Sequence, residues 1–188
     1  SSLTLVKYKN TSLLKTIAQS IDSMLQDNPT VVIFGKSCFQ HRSVGFFSDD
    51  QNVIGYKYSN QTTYSIPLTP ELSTLLDTVN NQFCAKFNAI LVNKYKNGSD
   101  YISAHADDEK FLDNSGVVAI SYGDTRIFRI RNKNTKQKVL DLEMESGDML
   151  NMRGGFQKEF THEIPPQKKG MDAGIHSHSA NISMNSTW

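Results

Sequence analysis

The chain is short of cysteine, of any surplus of one charge and of long apolar runs, and each shortage removes a class of protein. Cys38 and Cys84 are its only two cysteines among 188 residues. They are too few and too far apart for a cysteine zinc site or for the disulfide framework of a small secreted scaffold, so a reducing, intracellular setting is expected. Lysine and arginine number 20 against 19 aspartates and glutamates, a net charge of +1. No global basic field announces a nucleic-acid partner, and any such contact must come from a local patch. No apolar run approaches the roughly 20 residues that cross a bilayer, and no signal peptide opens the chain, so a soluble protein with no membrane partner is expected. The first residues read Ser-Ser-Leu without a methionine, which suggests part of a larger polypeptide.

The remaining composition suits one domain, residues 1–188, with a buried core, one active site and a monomeric state. A strand is predicted over residues 3–8. Leu14, Ile17, Ala18, Ile21 and Leu25 then recur at helical spacing behind Thr11 and Ser12, either of which can cap. Residues 31–34 read as a strand, and residues 35–60 mix aromatic, basic and turn residues without a period, as a surface loop or hairpin does. Thr69-Pro70-Glu71 opens a second helix whose apolar stripe is Leu72, Leu75, Leu76 and Val79. From residue 87 onward short strand-like runs alternate with turn signals: FNAILVNKY, Asn97-Gly98, VVAISY, Gly123-Asp124, RIFRIR, residues 132–135, VLDLEM and GDMLNM.

Within that run, residues 101–111 read YISAHADDEKF, and His162 follows in FTHEIPP. On a strand, positions i and i+2 project from one face, so His105 and Asp107 can hold one ion together while His162 arrives from a neighbouring strand. Two imidazoles and a carboxylate make the facial triad of non-heme Fe(II) oxygenases. A His-x-Asp also arises by chance, and a solvated histidine and aspartate are the bland alternative. The succession of short strands around the three residues is what a small double-sheet barrel needs to present them.

Together these residues resemble the AlkB-type family of Fe(II)- and 2-oxoglutarate-dependent nucleic-acid dealkylating dioxygenases, over about residues 31–162. The resemblance rests on Asn93-Lys94-Tyr95, on the HADDE of residues 105–109, on ISYGDTRIF at 120–128 and on SGDM at 146–149. It implies a mainly β fold with flanking helices, a double-stranded β-helix (jelly-roll, cupin-like) core over about 87–188, and a nucleotide-recognition lid over about 31–64. It implies His105, Asp107 and His162 as catalytic metal ligands, Asn93 and Tyr95 on the 2-oxoglutarate, and Asp108 and Glu109 beside the substrate base. Phe34 and Lys36 look like a loop that enters the base stack, and Tyr58 and Ser59, in YKYS, like part of the lid. Core packing for Phe34 and a solvated face for Lys36, Arg42 and Lys57 are the competing readings.

The family's closing Arg-x-x-x-x-x-Arg, which grips the cosubstrate, corresponds on this reading to Asn181 and Thr187. A neutral amide cannot reproduce the planar, charge-assisted contact of an arginine with a carboxylate. Either the tail aligns differently, or another cation such as Arg153 or Arg129 substitutes, or the chain is an altered version of an active enzyme. His176 and His178 form a His-x-His in a Ser-rich tail, read as exposed and unliganded.

The activity implied is oxidative demethylation of N-alkylated bases in DNA or RNA with Fe(II), O2 and 2-oxoglutarate, releasing succinate, CO2 and formaldehyde. The alternatives are a catalytically impaired nucleic-acid-binding domain and an oxygenase of a protein or small molecule.

Overall fold

In a computed structural model the chain is described over residues 2–107, 115–167 and 178–186. Two antiparallel sheets face one another. Numbered in chain order, the seven-stranded sheet runs β1 (Ser2–Lys7), β13 (Asp148–Arg153), β10 (Val117–Gly123), β15 (Ser179–Asn185), β8 (Ala89–Tyr95), β5 (Ser43–Phe47) and β2 (Gln26–Asp27). The four-stranded sheet runs β12 (Lys138–Met144), β11 (Arg126–Asn132), β14 (Phe160–Ile164) and β9 (Ile102–His105). Two hairpins, β3 (Thr30–Ile33) with β4 (Lys36–Phe39) and β6 (Gly55–Tyr58) with β7 (Gln61–Tyr64), stand outside them. From β8 onward the chain passes repeatedly from one sheet to the other, the jelly-roll arrangement expected.

Alternation along the strands builds two cores, one on each face of the large sheet. Ile90 and Val92 of β8, Val118 and Ile120 of β10, and Ile182 and Met184 of β15 pack outward against Leu14, Ile17 and Ile21 of α1 (Thr11–Ile21) and Leu72, Leu75, Leu76 and Val79 of α2 (Pro70–Phe83). Tyr95, Val117, Ala119, Leu150 and Met152 point the other way, meeting Ile102, Phe128, Ile130, Met144 and Ile164 of the small sheet. The helices thus close the outer face and leave the space between the sheets for the site.

Helix α2 starts as expected, the Thr69 hydroxyl accepting the Leu72 amide hydrogen at 3.2 Å, with Pro70 in the first turn. Helix α1 differs: its cap is Asn10, whose side chain accepts from the Leu13 amide at 3.1 Å, and neither Thr11 nor Ser12 takes that role. Asn precedes the helix by one residue and is as good a cap as either.

The expected loop over residues 35–60 needs a larger correction. Its middle is β5, buried along its whole length and paired with β8 from Ser43↔Lys94 to Phe47↔Ile90. SVGFF shows no alternation because both of its faces are covered. The large sheet also takes β1 and β2, so it extends well before residue 87. The two hairpins do flank the site as a lid would, and at the tip of the first Phe34 and Gly35 both have positive φ, 49° and 74°. Glycine takes that backbone freely, whereas for phenylalanine it is strained.

Candidate active site

His105 ends β9, and Asp107 follows two residues later. His162 sits in the middle of β14, directly across from His105 in the β9–β14 pairing. Their ligand atoms all lie within 4.8 Å of one another, the one such group of metal-binding side chains among the described residues. The Nε2 atoms of His105 and His162 stand 3.8 and 3.4 Å from the two oxygens of Asp107. The three expected ligands therefore converge.

The chemistry of this donor set fits a divalent iron. His105 Nδ1 lies 2.8 Å from the Ser103 carbonyl, which accepts its N–H and leaves the Nε2 lone pair free for a metal. Burial, with His105 alongside, pushes His162 down to about 4, so its imidazole is neutral and able to ligate at neutral pH. Phe128 stacks on the His162 ring at 5.2 Å and 10°, and Tyr58 meets His105 edge-on at 6.2 Å. The Asp107 amide donates to Gln157 Oε1 at 2.8 Å, which fixes the backbone behind the carboxylate. Gln157, in α3 (Phe156–Glu159), carried no motif and was missed in the sequence.

A cavity of about 330 Å³ opens in front of the triad, walled by Tyr56, Lys57, Tyr58, Ser59, His105, Asp107 and Asn185. A larger groove of about 450 Å³ lies behind the large sheet, beside Lys15, Ile21, Val92 and Lys94. It is remote from the triad, and the smaller cavity is the one that matters for chemistry. Tyr56 is buried and stacked between Phe46 and Tyr58. Tyr58 and Ser59 sit at the cavity rim as expected, Ser59 in a left-handed turn. Phe34 is fully exposed, which overturns the core reading for it, and Lys36 is exposed beside it. Asp108, Glu109, His176 and Thr187 lie outside the described residues.

Asn93 and Tyr95, the residues expected on the cosubstrate, share the inward face of β8, both buried. Burial pushes the Tyr95 phenol up to about 12, so it stays protonated and able to donate. Asn181 lies opposite Asn93 and Ser179 opposite Tyr95. The inward side chains of β15 are therefore Ser179, Asn181, Ser183 and Asn185, alternating with the outward Ile182 and Met184. A six-residue spacing lying wholly on this strand joins Ser179 to Asn185, and no arginine stands on it. Neither cation proposed from sequence replaces one: Arg129 is held by Asp141 at 2.8 Å on the outer side of the small sheet, and Arg153 is exposed at the end of β13. Arg42, for which a solvated face was the competing reading, is 1 % exposed, donates to Asn93 Oδ1 at 2.6 Å and lies over the Tyr58 ring at 4.6 Å.

Two facing sheets with a two-histidine, one-carboxylate triad at one end of their shared core define an iron-dependent oxygenase of the double-stranded β-helix class. Residues 5–185 match the family model of the 2OG-Fe(II) oxygenase superfamily, and the chain belongs to it. Among curated proteins it is similar to the DNA oxidative demethylase ALKBH2 of Arabidopsis thaliana, 29 % identical over 166 residues that cover 75 % of this chain and 53 % of the relative. It is likewise similar to the DNA oxidative demethylase ALKBH2 of Homo sapiens, 31 % identical over 147 residues, 74 % of this chain and 56 % of the relative. The chain spans about half the length of these relatives. Its fold matches the solved structure of OsALKBH1 with a TM-score of 0.63 at 16 % identity, over 98 % of this chain and 97 % of that one. The AlkB-type character expected from the motifs is borne out. Among the described residues no helix is long and apolar enough to cross a membrane.

Proposed function

We propose that the chain is the catalytic domain of an oxidative nucleic-acid demethylase, with His105, Asp107 and His162 holding Fe(II) and with Asn93 and Tyr95 contacting 2-oxoglutarate. The observation that carries this reading is the convergence of three donor atoms within 4.8 Å at the mouth of a cavity walled by the aromatic lid residues Tyr56 and Tyr58. When bound, iron with 2-oxoglutarate and O2 supplies the oxidising power for hydroxylating an N-linked alkyl group, whose breakdown gives formaldehyde. The protein's own part is binding, orientation and exclusion of water. His162 stays neutral, and both rings are fixed, His105 by its bond to Ser103 and His162 by stacking on Phe128. Tyr56 and Tyr58 offer ring faces to a planar base delivered into the cavity.

A base inside a duplex cannot reach a metal at this depth without leaving the stack. Phe34 supports a role in exposing it: a fully exposed aromatic at a left-handed hairpin tip is an uncompensated cost for folding, of about 1–3 kcal/mol, and such outliers collect at functional sites. Lys36 beside it suits a phosphate contact. Asp108 and Glu109, next in sequence to the metal-binding Asp107, are assigned to reading the alkylated base. Methylated DNA or RNA is therefore the proposed substrate. One observation favours a non-catalytic, nucleic-acid-binding reading: β15 carries no arginine for the cosubstrate.

The test is incubation with Fe(II), 2-oxoglutarate and O2, with and without N-methylated oligonucleotides, measuring formaldehyde and succinate. Release of formaldehyde that depends on the methyl group supports the proposal. Succinate formed equally without any oligonucleotide, and no formaldehyde with one, contradicts it.

A further inference from the structure

The chain has five arginines, and their placement divides them sharply. Arg129 and Arg131 are tied to Asp141 and Glu163, and Arg153 is exposed. Arg42 and Arg126 are buried, at 1 % and 5 % exposure, and both act on the same phenol, Tyr95. Neither forms an ion pair among the described residues. A buried guanidinium without a carboxylate is costly unless something neutralises it.

The two differ in what remains free. Arg42 has its fork filled by side chains: Nε and Nη2 donate to Gln40 Oε1 at 3.0 and 2.8 Å, and Nη1 donates to Asn93. Arg126 donates only to backbone carbonyls, Nη1 to Asn97 at 3.2 Å and Nη2 to Asp100 and Pro165 at 2.7 and 3.1 Å. Its Nε is buried with no acceptor among the described residues. Asp100, a buried carboxylate nearby, accepts from the Lys96 amide with Oδ2 and is not ion-paired to Arg126.

Arg126 also shares a strand face with a residue that packs on the metal site. Arg126, Phe128 and Ile130 alternate inward on β11, and Phe128 is the ring stacked on His162. Arg126 therefore lies one strand repeat, about 7 Å, beyond the residue that touches the metal ligand. Its Cζ sits 5.1 Å over the Tyr95 ring. Across from Tyr95 on β15 is Ser179, which offers a hydroxyl and no charge.

We propose that Arg126 is the cation that binds the distal carboxylate of the keto diacid in this chain, taking the part that β15 cannot play. This rests on the oxygenase reading above. It assigns the specificity for a diacid over a monoacid to β11, with the Tyr95 hydroxyl as second donor. Three backbone carbonyls hold the guanidinium in place, which makes Arg126 preorganised before any ligand arrives.

The test separates the proposal from the reading beneath it. The 188-residue chain, loaded with Fe(II) under anaerobic conditions, is titrated with 2-oxoglutarate and with 2-oxopentanoate, which has the same chelating end and a methyl group in place of the distal carboxylate. The readout is the visible absorption of the iron chelate. Wild-type protein is expected to bind 2-oxopentanoate about 10- to 100-fold more weakly, the worth of a charge-assisted hydrogen-bond pair. R126Q is expected to lose a similar factor for 2-oxoglutarate while binding 2-oxopentanoate within about twofold of wild type, and R126K is expected to recover part of the loss. Equal weakening of both acids in R126Q, or equal affinity of wild type for both, overturns the proposal and leaves the oxygenase reading standing. Absorption from neither acid overturns both. The wild-type comparison needs no variant, so the proposal stays open to refutation even where R126Q does not fold.

Discussion

The two halves of the pocket are built on different plans. The metal half depends on three side chains close to one another in space, two of them two residues apart in the chain, each fixed by a neighbour: His105 by Ser103, Asp107 by Gln157, His162 by Phe128. The half proposed for the cosubstrate is assembled from four strands, with Asn93 and Tyr95 on β8, neutral Ser179 and Asn181 on β15, Arg42 at the entry to β5 and Arg126 at the start of β11. In the first, each of the three residues has a neighbour that orients it, although His162 Nδ1 is buried without a hydrogen-bond partner among the described residues. In the second, two buried cations make no ion pair among the described residues, Arg126 having only the longer-range pull of Asp100. Fixed geometry suits a metal, whose ligands must be in place before it binds. Uncompensated charge suits an anion that comes and goes.

Several substitutions would break or sharpen that contrast. The largest effect is expected from Asp107→Ala or His162→Ala, which remove a ligand outright. Metal affinity should fall by more than the roughly 10- to 100-fold that orienting partners command, with turnover at background, measured by metal titration and formaldehyde release. Gln157→Ala is expected to fall within that range, since it frees the backbone behind Asp107 and removes no ligand. If Gln157→Ala matched Asp107→Ala, the account of which residues bind and which orient would be wrong. Phe34→Ala should leave thermal stability within about 0.5 kcal/mol, as an exposed side chain does. It should also slow turnover of duplex substrates by about tenfold relative to single-stranded ones, by losing the filler for the vacated base site. An equal effect on both strand forms would remove Phe34 from the extrusion step.

The smallest effect is expected on the outer face of the small sheet. There the hydrogen bond from Arg129 holds Asp141 below the usual carboxylate range. A depressed folded-state value means that the contribution to stability is present at neutral pH and is lost as the pH falls through that value. The pair lies on the outer face with its side chains 27 % and 28 % exposed, where solvent still screens it, so Asp141→Asn should cost no more than about 1 kcal/mol at neutral pH. The difference from wild type should vanish in acid. Urea unfolding at the two pH values measures it, and a difference that grew in acid would contradict the assignment.

The metal half was legible in the sequence because its signal is local. His105-x-Asp107 is a spacing that strand geometry alone makes meaningful, and His162 stands in another strand-like run, FTHEIPP, after four intervening ones. Helix α2 was legible for the same reason, with cap, proline and apolar stripe within a few residues. The cosubstrate half was not. A buried arginine has no sequence signature: Arg42 sits among polar residues, and Arg126 opens the strand-like RIFRIR, whose other two arginines are only half-buried. Only the pairing of β8 with β15 identifies Ser179 as the residue opposite Tyr95, and that register depends on the whole sheet. β5 was misread because a strand covered on both faces lacks the alternation by which strands are found. Gln157 was invisible because its role is a single bond to a backbone amide fifty residues away.

The central claim is that three side chains hold one iron with room left for a chelating keto acid. Anaerobic addition of Fe(II) and 2-oxoglutarate to the wild-type chain tests it most directly. The account predicts a visible absorption band that saturates with cosubstrate and is absent in Asp107→Ala. No band from wild type at any cosubstrate concentration, or a band unchanged in Asp107→Ala, would contradict it.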